Sequence, residues 1–246
     1  MERRPGKGKR RIGAVLETSI ENRIIDYIKR HKVSSTEVAD CMDKMGAIKG
    51  ALPLNAGMHK VGLVQYVSAY GDSNWPIHDQ VRKMPDDGRV VLVDDLNGGR
   101  RALFGELVSY YIIQEKKAEA IVTTGLMRDI AELIEGRVPM WCGGRSPEGC
   151  YNIEVNPTKE EAILSEANRE RYQDGIAVCD DCGVVVIPKQ MITEEMLHKL
   201  EAIEEQERIW FHCVRDLHWD TFDTVCLKKY KNDAQVEAGS VDGAEK

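Results

Sequence analysis

GELVSYYIIQEKKAEAIVTTGLMRD, residues 105–129, is the stretch around which the rest of the chain is read. A Gly-Glu-Leu turn opens it, a helix follows, and Ala120 to Thr124 reads as a buried strand. Gly125 then breaks the strand and delivers Arg128-Asp129 to the start of a helix spanning Ile130 to Glu135. An apolar strand that stops at glycine and leads into a helix is how α/β proteins present chemistry, because the strand ends face a crevice. Asp129 offers carboxylate oxygen to a divalent cation, and Arg128 offers a permanently charged fork to a carboxylate or enolate. Glu106 adds a polar group of the acid/base kind. The plain alternative is a solvated ion pair at a helix start, where aspartate is favoured in any case.

Outward from this stretch, strands and helices alternate. Helical spacing marks Val15 to Lys32, and Ser34 with Glu37 forms a possible capping box opening a helix over Ser35 to Met45, ended by Gly46. Val61 to Tyr70 reads as a strand, Gly71 to Pro76 as a loop, Ile77 to Met84 as a short helix and Pro85 to Gly88 as a turn. Arg89 to Asp94 is a second strand, LNGG a loop, and Arg101 to Lys117 a helix. Val138 to Cys142 is a strand, Asn156 to Tyr172 a charged stretch in which Pro157-Thr158 precede a surface helix, and Gly175 to Cys179 with Val184 to Ile187 a hairpin about CDDCG. Thr193 opens a long amphipathic helix within Met191 to Leu217, and Trp219 to Tyr230 adds a short one. No internal repeat is visible, and this mixture implies a layered α/β domain. Residues 1–14 are read as a disordered basic arm, 15–230 as one domain with helical extensions, and 231–246 as a disordered polar tail.

Bulk properties exclude several classes. The 246 residues, 42% hydrophobic and 30% charged, match a soluble globular protein. No run approaches the ~20 apolar residues of a membrane span. The start MERRPGKGKRR lacks the apolar core of a secretory signal. Seven scattered cysteines fit a reducing compartment, so a cytoplasmic location is expected. A net charge of −7 argues against general nucleic-acid binding, although the first eleven residues carry six Lys or Arg. Cys179 and Cys182 have metal-ligand spacing but no second pair, so they read as turn cysteines. His78, His212 and His218 read as packing or surface residues, and Trp75, Trp141, Trp210 and Trp219 as pocket-wall, core or contact aromatics.

Four stretches, in order and spacing, resemble the RraA-like family, which holds the regulators of ribonuclease activity A and the 4-hydroxy-4-methyl-2-oxoglutarate aldolases. They are STEVADCMDKMGA, GDSNWPIH, RRALFGELV with TTGLMRD, and DDCGVVVIP, spread over residues 34–230. The resemblance implies a three-layer β/β/α fold of the swivelling-domain type, assembled as a trimeric ring or a hexamer. It implies Mg²⁺ or Mn²⁺ held largely through water, with Asp129 as direct ligand and Arg128 on the pyruvyl oxygens. The backbone around Gly105, Glu106, Leu107 and Val108 would receive the carboxylate of a small 2-oxo acid. Glu106 would act through water as acid/base, and Asn74 matches the Asn of the family's loop. Asp40 matches an acidic position reaching the metal's waters from a neighbouring subunit, and Glu207 would do the same from the long C-terminal helix.

The implied activity is a class II (metal-dependent) aldolase or decarboxylase, with oxaloacetate as a side substrate. Cleavage beside a 2-oxo acid leaves an enolate, whose charge a divalent ion and Arg128 would stabilise. No lysine for a Schiff base sits in RRALFGELV, TTGLMRD or GDSNWPIH, the motifs that carry Glu106, Arg128, Asp129 and Asn74. The alternatives are a non-catalytic regulator of an RNA-degradation enzyme, and an enzyme on the same scaffold with another substrate. The last follows from three departures: YQDGIAVCDD replaces the family's V-x-PGD pattern, residues 146–172 follow no usual pattern, and Thr124 stands where an Asp is frequent.

Overall fold

The computed structural model describes residues 19–233 apart from 97 and 100. The expected basic arm and most of the polar tail lie outside the described residues. The main sheet has seven strands: β1 (Leu52–Pro53), β2 (Lys60–Ala69), β3 (Val90–Asp95), β5 (Ala120–Thr123), β7 (Met140–Cys142), β9 (Ile176–Asp180) and β10 (Gly183–Ile187). They run in the order β1-β7-β5-β3-β2-β9-β10. Strands β2, β3, β5 and β7 are mutually parallel neighbours, whereas β9, β10 and β1 join antiparallel. Three short parallel strands, β4 (Ala102–Phe104), β6 (Leu126–Met127) and β8 (Gly144–Arg145), make a second sheet.

The main sheet nearly closes on itself. Ala47 bridges Val185 of β10, Ile48 N–H donates to Val184 O at 2.8 Å, and β1, five residues on from Ala47, pairs with β7 at the opposite edge. One segment thus ties the last strand to the first and removes most of the exposed edge. Alternation along β3 shows what each face does. Val90 and Leu92 join Val64, Tyr66, Val122 and Trp141 in one core, while Val91 and Val93 join Ile77, Ile121, Met127 and Leu133 in another. The first core lines the inside of the closing sheet. The second lies under α3 (Trp75–Val81), α4 (Glu106–Tyr110) and α5 (Ile130–Glu135).

A third core sits under α1 (Ile20–His31), α2 (Ser35–Cys41) and α7 (Glu194–Arg215), built from Ile24, Ile28, Val38, Leu197 and Leu200 against Val61, Ile176, Val178 and Ile187. Ser34 and Glu37 do form the capping box of α2, and Thr158 and Glu161 form another at α6 (Lys159–Tyr172). The helix α2 stops at Cys41, earlier than the expected Met45. Arg101 to Lys117 is not one helix. Ala102, Leu103 and Phe104 are all buried and pair with β6, so a strand precedes the short α4, which continues as a π-helical turn over Tyr111–Glu115. A continuous apolar triplet cannot be told from helix by periodicity alone. The expected helix at 219–230 is a π turn, Phe222–Cys226, followed by a 3₁₀ turn, Lys229–Asn232. Cys179 is buried in β9 and Cys182 exposed in the following turn. No helix among the described residues is long and apolar enough to cross a membrane.

Asp180 anchors α2 to the β9–β10 hairpin: its carboxylate accepts from Ser35 N–H at 2.6 Å, Ser35 Oγ at 2.7 Å and Cys182 N–H at 2.9 Å. Hydrogen bonds to a charged group contribute ~1.5–3 kcal/mol each where partly buried. Asp180→Ala is therefore expected to lower the thermal midpoint by about 5 °C, a shift that calorimetry resolves at this chain length. An unchanged midpoint would show that the anchor is dispensable.

Candidate functional site

The site is assembled where the small sheet meets two short helices. Leu126 and Met127 pair with Ala102 and Phe104 on one side and with Gly144 and Arg145 on the other. Arg128 N–H continues this pairing to Phe104 O at 3.2 Å, and Ser146 N–H reaches Met127 O at 3.0 Å. The ladder ends there, and Asp129 turns the chain into α5 with φ 55° and ψ 44°. This left-handed conformation disfavours side chains in general and is tolerated best by Asn and Asp after Gly. A non-glycine residue held there marks a place where the surroundings over-determine the backbone.

Those surroundings are visible. Asp129 Oδ2 accepts from Glu106 N–H at 3.1 Å. It comes so close to the β4–α4 junction that a Cβ on Gly105 would lie 1.9 Å from Oδ2 and 2.9 Å from Arg128 Cγ. Gly149 similarly admits the guanidinium, since a Cβ there would lie 2.6 Å from Arg128 Nη1. Arg128 Nε and Asp129 Oδ2 are 3.8 Å apart, with both side chains nearly half exposed (48% and 42%). The carboxylate thus faces a cleft, and its ion pair with Arg128 is long and open to solvent. That open cleft, about 430 Å³, is lined by Arg128, Asp129, Ile130, Arg145, Ser146 and Pro147.

The remaining expected residues fall into two groups. Gly105, Glu106, Leu107 and Val108 come together with Arg128 and Asp129; Glu106 and Leu107 are exposed, and Val108 is partly buried. Asn74 is buried before α3, where its N–H donates to Tyr151 O at 3.0 Å and its C=O accepts from His78 N–H at 3.1 Å. Its Oδ1 is buried without a hydrogen-bond partner among the described residues. Asn74 and Arg128 thus border the same segment, 149–151. Asp40 and Glu207 lie elsewhere, over the core under α2 and α7, where Lys44 Nζ pairs with Asp40 Oδ1 at 2.8 Å. Burial, then the charges of Glu37 and Asp40, push the Glu207 carboxyl above its usual range, so these acids face one another. No group of three or more His, Cys, Asp or Glu side chains converges to hold a metal among the described residues.

One carboxylate suits a magnesium-like ion, which keeps several waters and takes one or two carboxylates. Oδ2 is engaged with Glu106 N–H, and Oδ1 has no such contact among the described residues. Ser146 and Pro147 open the unusual 146–172 segment, whereas Arg145 carries no sequence signal of a site, because after Gly143 no periodicity distinguishes strand from loop. The available signal was a basic residue just past the Met140–Cys142 strand, at the edge where strands β2, β3 and β5 also end.

Two predictions follow from this geometry. Gly105→Ala must push the Asp129 carboxylate off Glu106 N–H, costing on the order of 1–3 kcal/mol in urea unfolding. In an Asp129→Ala background the same change should cost less, because the obstructing carboxylate is gone and only the 2.9 Å approach to Arg128 Cγ remains. Equal costs in the two backgrounds would show that the contact does not constrain the site. For Glu207, a raised folded-state pKa means that the folded chain binds this proton more tightly than the unfolded chain does. Its favourable contribution is present at acid pH and is lost as pH rises through the raised value. Glu207→Gln is expected to raise the melting temperature by roughly 1–2 °C at pH 7.5 in chelator, with the gap closing at pH 4.

Comparisons with known proteins agree on the architecture. The model of the RraA-like family, described as Aldolase/RraA, matches residues 35–186. A crystal structure of an uncharacterized protein from Pseudomonas syringae pv. tomato is similar with a TM-score of 0.62 at 20% identity, covering 81% of this chain and 96% of that one. Streptomyces coelicolor RraAS2, described as an unusual member of the RNase ES inhibitor RraA protein family, superposes with a TM-score of 0.57 at 19% identity, covering 75% of this chain and 94% of that one. No curated protein matches the chain by sequence search. The two-sheet α/β architecture with its nearly closed main sheet matches the RraA-like fold, and the chain belongs to the RraA-like family.

Proposed function

We propose that this protein is a divalent-metal-dependent lyase of the pyruvate-aldolase kind, cleaving or decarboxylating a 2-oxo acid. The observation that carries this reading is the Asp129 carboxylate, pinned through one oxygen to Glu106 N–H, half exposed to a cleft and beside a guanidinium. Family membership makes the reading economical, since the family's description pairs aldolases with RraA proteins.

In this reading Asp129 holds Mg²⁺ or Mn²⁺, which when bound supplies Lewis acidity toward the oxo-acid oxygens. Arg128 sits with its fork toward the oxygen on which negative charge develops, in a site that needs no reorganisation to meet it. Glu106 N–H is already engaged by Asp129, so the substrate carboxylate falls to the N–H groups of Leu107 and Val108, with Gly105 keeping the approach open. The Glu106 side chain, exposed at the start of α4, takes the proton of the far hydroxyl through a water. Asn74 brings its unpaired Oδ1 to the segment that borders Arg128. No lysine among the described residues lines the cleft, in keeping with chemistry that forms no Schiff base.

Asp40 and Glu207 stand over the core under α2 and α7, apart from the core under α5, and in this reading they would reach such a site from another copy of the chain. A homo-oligomer, trimer or hexamer, therefore belongs to the proposal, as does action in the cytoplasm. Leu107, 81% exposed beside Glu106, and Tyr110, 58% exposed, provide apolar surface for such a contact.

Asp129→Ala is expected to abolish Mg²⁺- or Mn²⁺-dependent release of pyruvate from oxaloacetate and from 4-hydroxy-4-methyl-2-oxoglutarate, while light scattering shows an unchanged assembly. Turnover at the wild-type rate would remove Asp129 from the mechanism. If the wild-type protein neither binds a 2-oxo acid nor turns it over with either metal, the regulatory reading of the fold replaces this one.

A further inference from the structure

Two arginines line the cleft at Asp129, and only Arg128 has the carboxylate beside it. The second belongs to Arg145, on β8. Its Cα is in register with Met127 of β6, one strand spacing (~4.8 Å) from the residue preceding Arg128. The pairing is extended by Ser146 N–H to Met127 O at 3.0 Å, so Arg145 projects from a hydrogen-bonded strand end. Sites built on such elements hold a side chain more precisely than sites on loops. Among the described residues no carboxylate is ion-paired with Arg145, whereas Arg101, just ahead of β4 in the same small sheet, donates to Gly149 O and the Tyr151 hydroxyl. The cleft therefore carries two fixed positive charges and one negative charge before any ligand enters. At about 430 Å³ it also has more room than a six-heavy-atom pyruvyl unit fills.

We propose that Arg145 is the specificity-determining residue for the part of the substrate beyond the pyruvyl unit, reading the second anionic group that oxaloacetate-type substrates carry there, carboxylate or phosphate. The inference rests on the oxo-acid reading above and deepens it. The first anionic group goes to Arg128 and the α4 backbone, and the second is read by the Arg145 fork, whose planar donors match carboxylate and phosphate oxygens in pairs. Ile130 and Pro147 supply apolar wall between them, so a neutral alkyl extension gains contact but no charge partner. A partly exposed charge-assisted pair of this kind contributes roughly ten- to a hundredfold in affinity.

Calorimetric titration of the full-length protein in Mg²⁺ with pyruvate, 2-oxoglutarate and 3-phosphonopyruvate tests this without relying on turnover. The wild-type protein is expected to bind at least one dianionic probe about tenfold or more tightly than pyruvate, and the better dianion identifies carboxylate or phosphate as the preferred group. Arg145→Met is expected to reduce that preference by ten- to a hundredfold, and Arg145→Lys to keep part of it, since the charge stays and the fork is lost. Arg145 is exposed, so both variants should melt within about a degree or two of wild type. A wild-type protein without preference, or an Arg145→Met protein that retains it, overturns the role of Arg145 and leaves the oxo-acid reading standing. Failure of all three probes to bind the wild-type protein overturns both.

Discussion

The absence of a side chain at residue 105 is the constraint on which the site depends. Asp129 adopts a left-handed backbone that costs an ordinary residue roughly 1–2 kcal/mol. It is held there because its carboxylate fits against the β4–α4 junction and accepts Glu106 N–H, a position that any Cβ at 105 would occupy. The same junction starts α4 and ends β4, which pairs with β6 and so fixes Arg128. Backbone, carboxylate and guanidinium are therefore coupled through one close approach. The small sheet supplies rigidity beneath them, with Phe104 and Met127 buried in the core shared with α5.

How much of this was legible in the sequence depended on the range of the interactions involved. Local chemistry read well: the Ser34–Glu37 capping box, the Thr193 cap of α7 and the Gly125 break before Arg128-Asp129 each involve residues within a few positions. Strands β2, β3 and β5 also read well, because their apolar runs are flanked by turn residues. Ala102–Phe104 did not, since three buried residues next to a true helix carry no period of their own, and only pairing with β6 makes them a strand. Arg145 was invisible for the same reason. Its significance comes from register with Met127, eighteen residues earlier, and from a cleft that neither segment builds alone.

Asp40 and Glu207 illustrate a different limit. Their residue types suggested metal chemistry by resemblance, and the structure brings them near each other and Glu37 on the α2–α7 face. What brings them together within one chain is helix packing, which leaves three acids with mutual repulsion and one lysine contact, Lys44 to Asp40. Such an arrangement is tolerated at a partly exposed surface, where solvent weakens the repulsion between the carboxylates.

The substitution of threonine for the family's aspartate at 124 looks, in isolation, like damage to the site. In the fold it belongs with the unusual segment that contains α6. Thr124 Oγ1 donates to Asp94 Oδ1 at 3.3 Å and accepts from Asp95 N–H at 2.9 Å, while Asp94 Oδ2 accepts from the Tyr66 hydroxyl at 2.9 Å and from Asn168 Nδ2 of α6 at 2.8 Å. An aspartate at 124 would set a second carboxylate against Asp94, and like charges at that distance oppose one another. With threonine there, Asp94 becomes the acceptor that tethers α6, a helix with no buried residue of its own, to the ends of β3 and β5. Arg169 adds to the tether by lying over the Tyr66 ring, 5.2 Å from its centroid, and donating to Gln80 at 3.2 Å. Thr124, Asp94 and α6 are thus parts of one hydrogen-bonded change. It alters the surroundings of the strand end that leads through Gly125 to Arg128 while leaving the Arg128-Asp129 pair itself untouched.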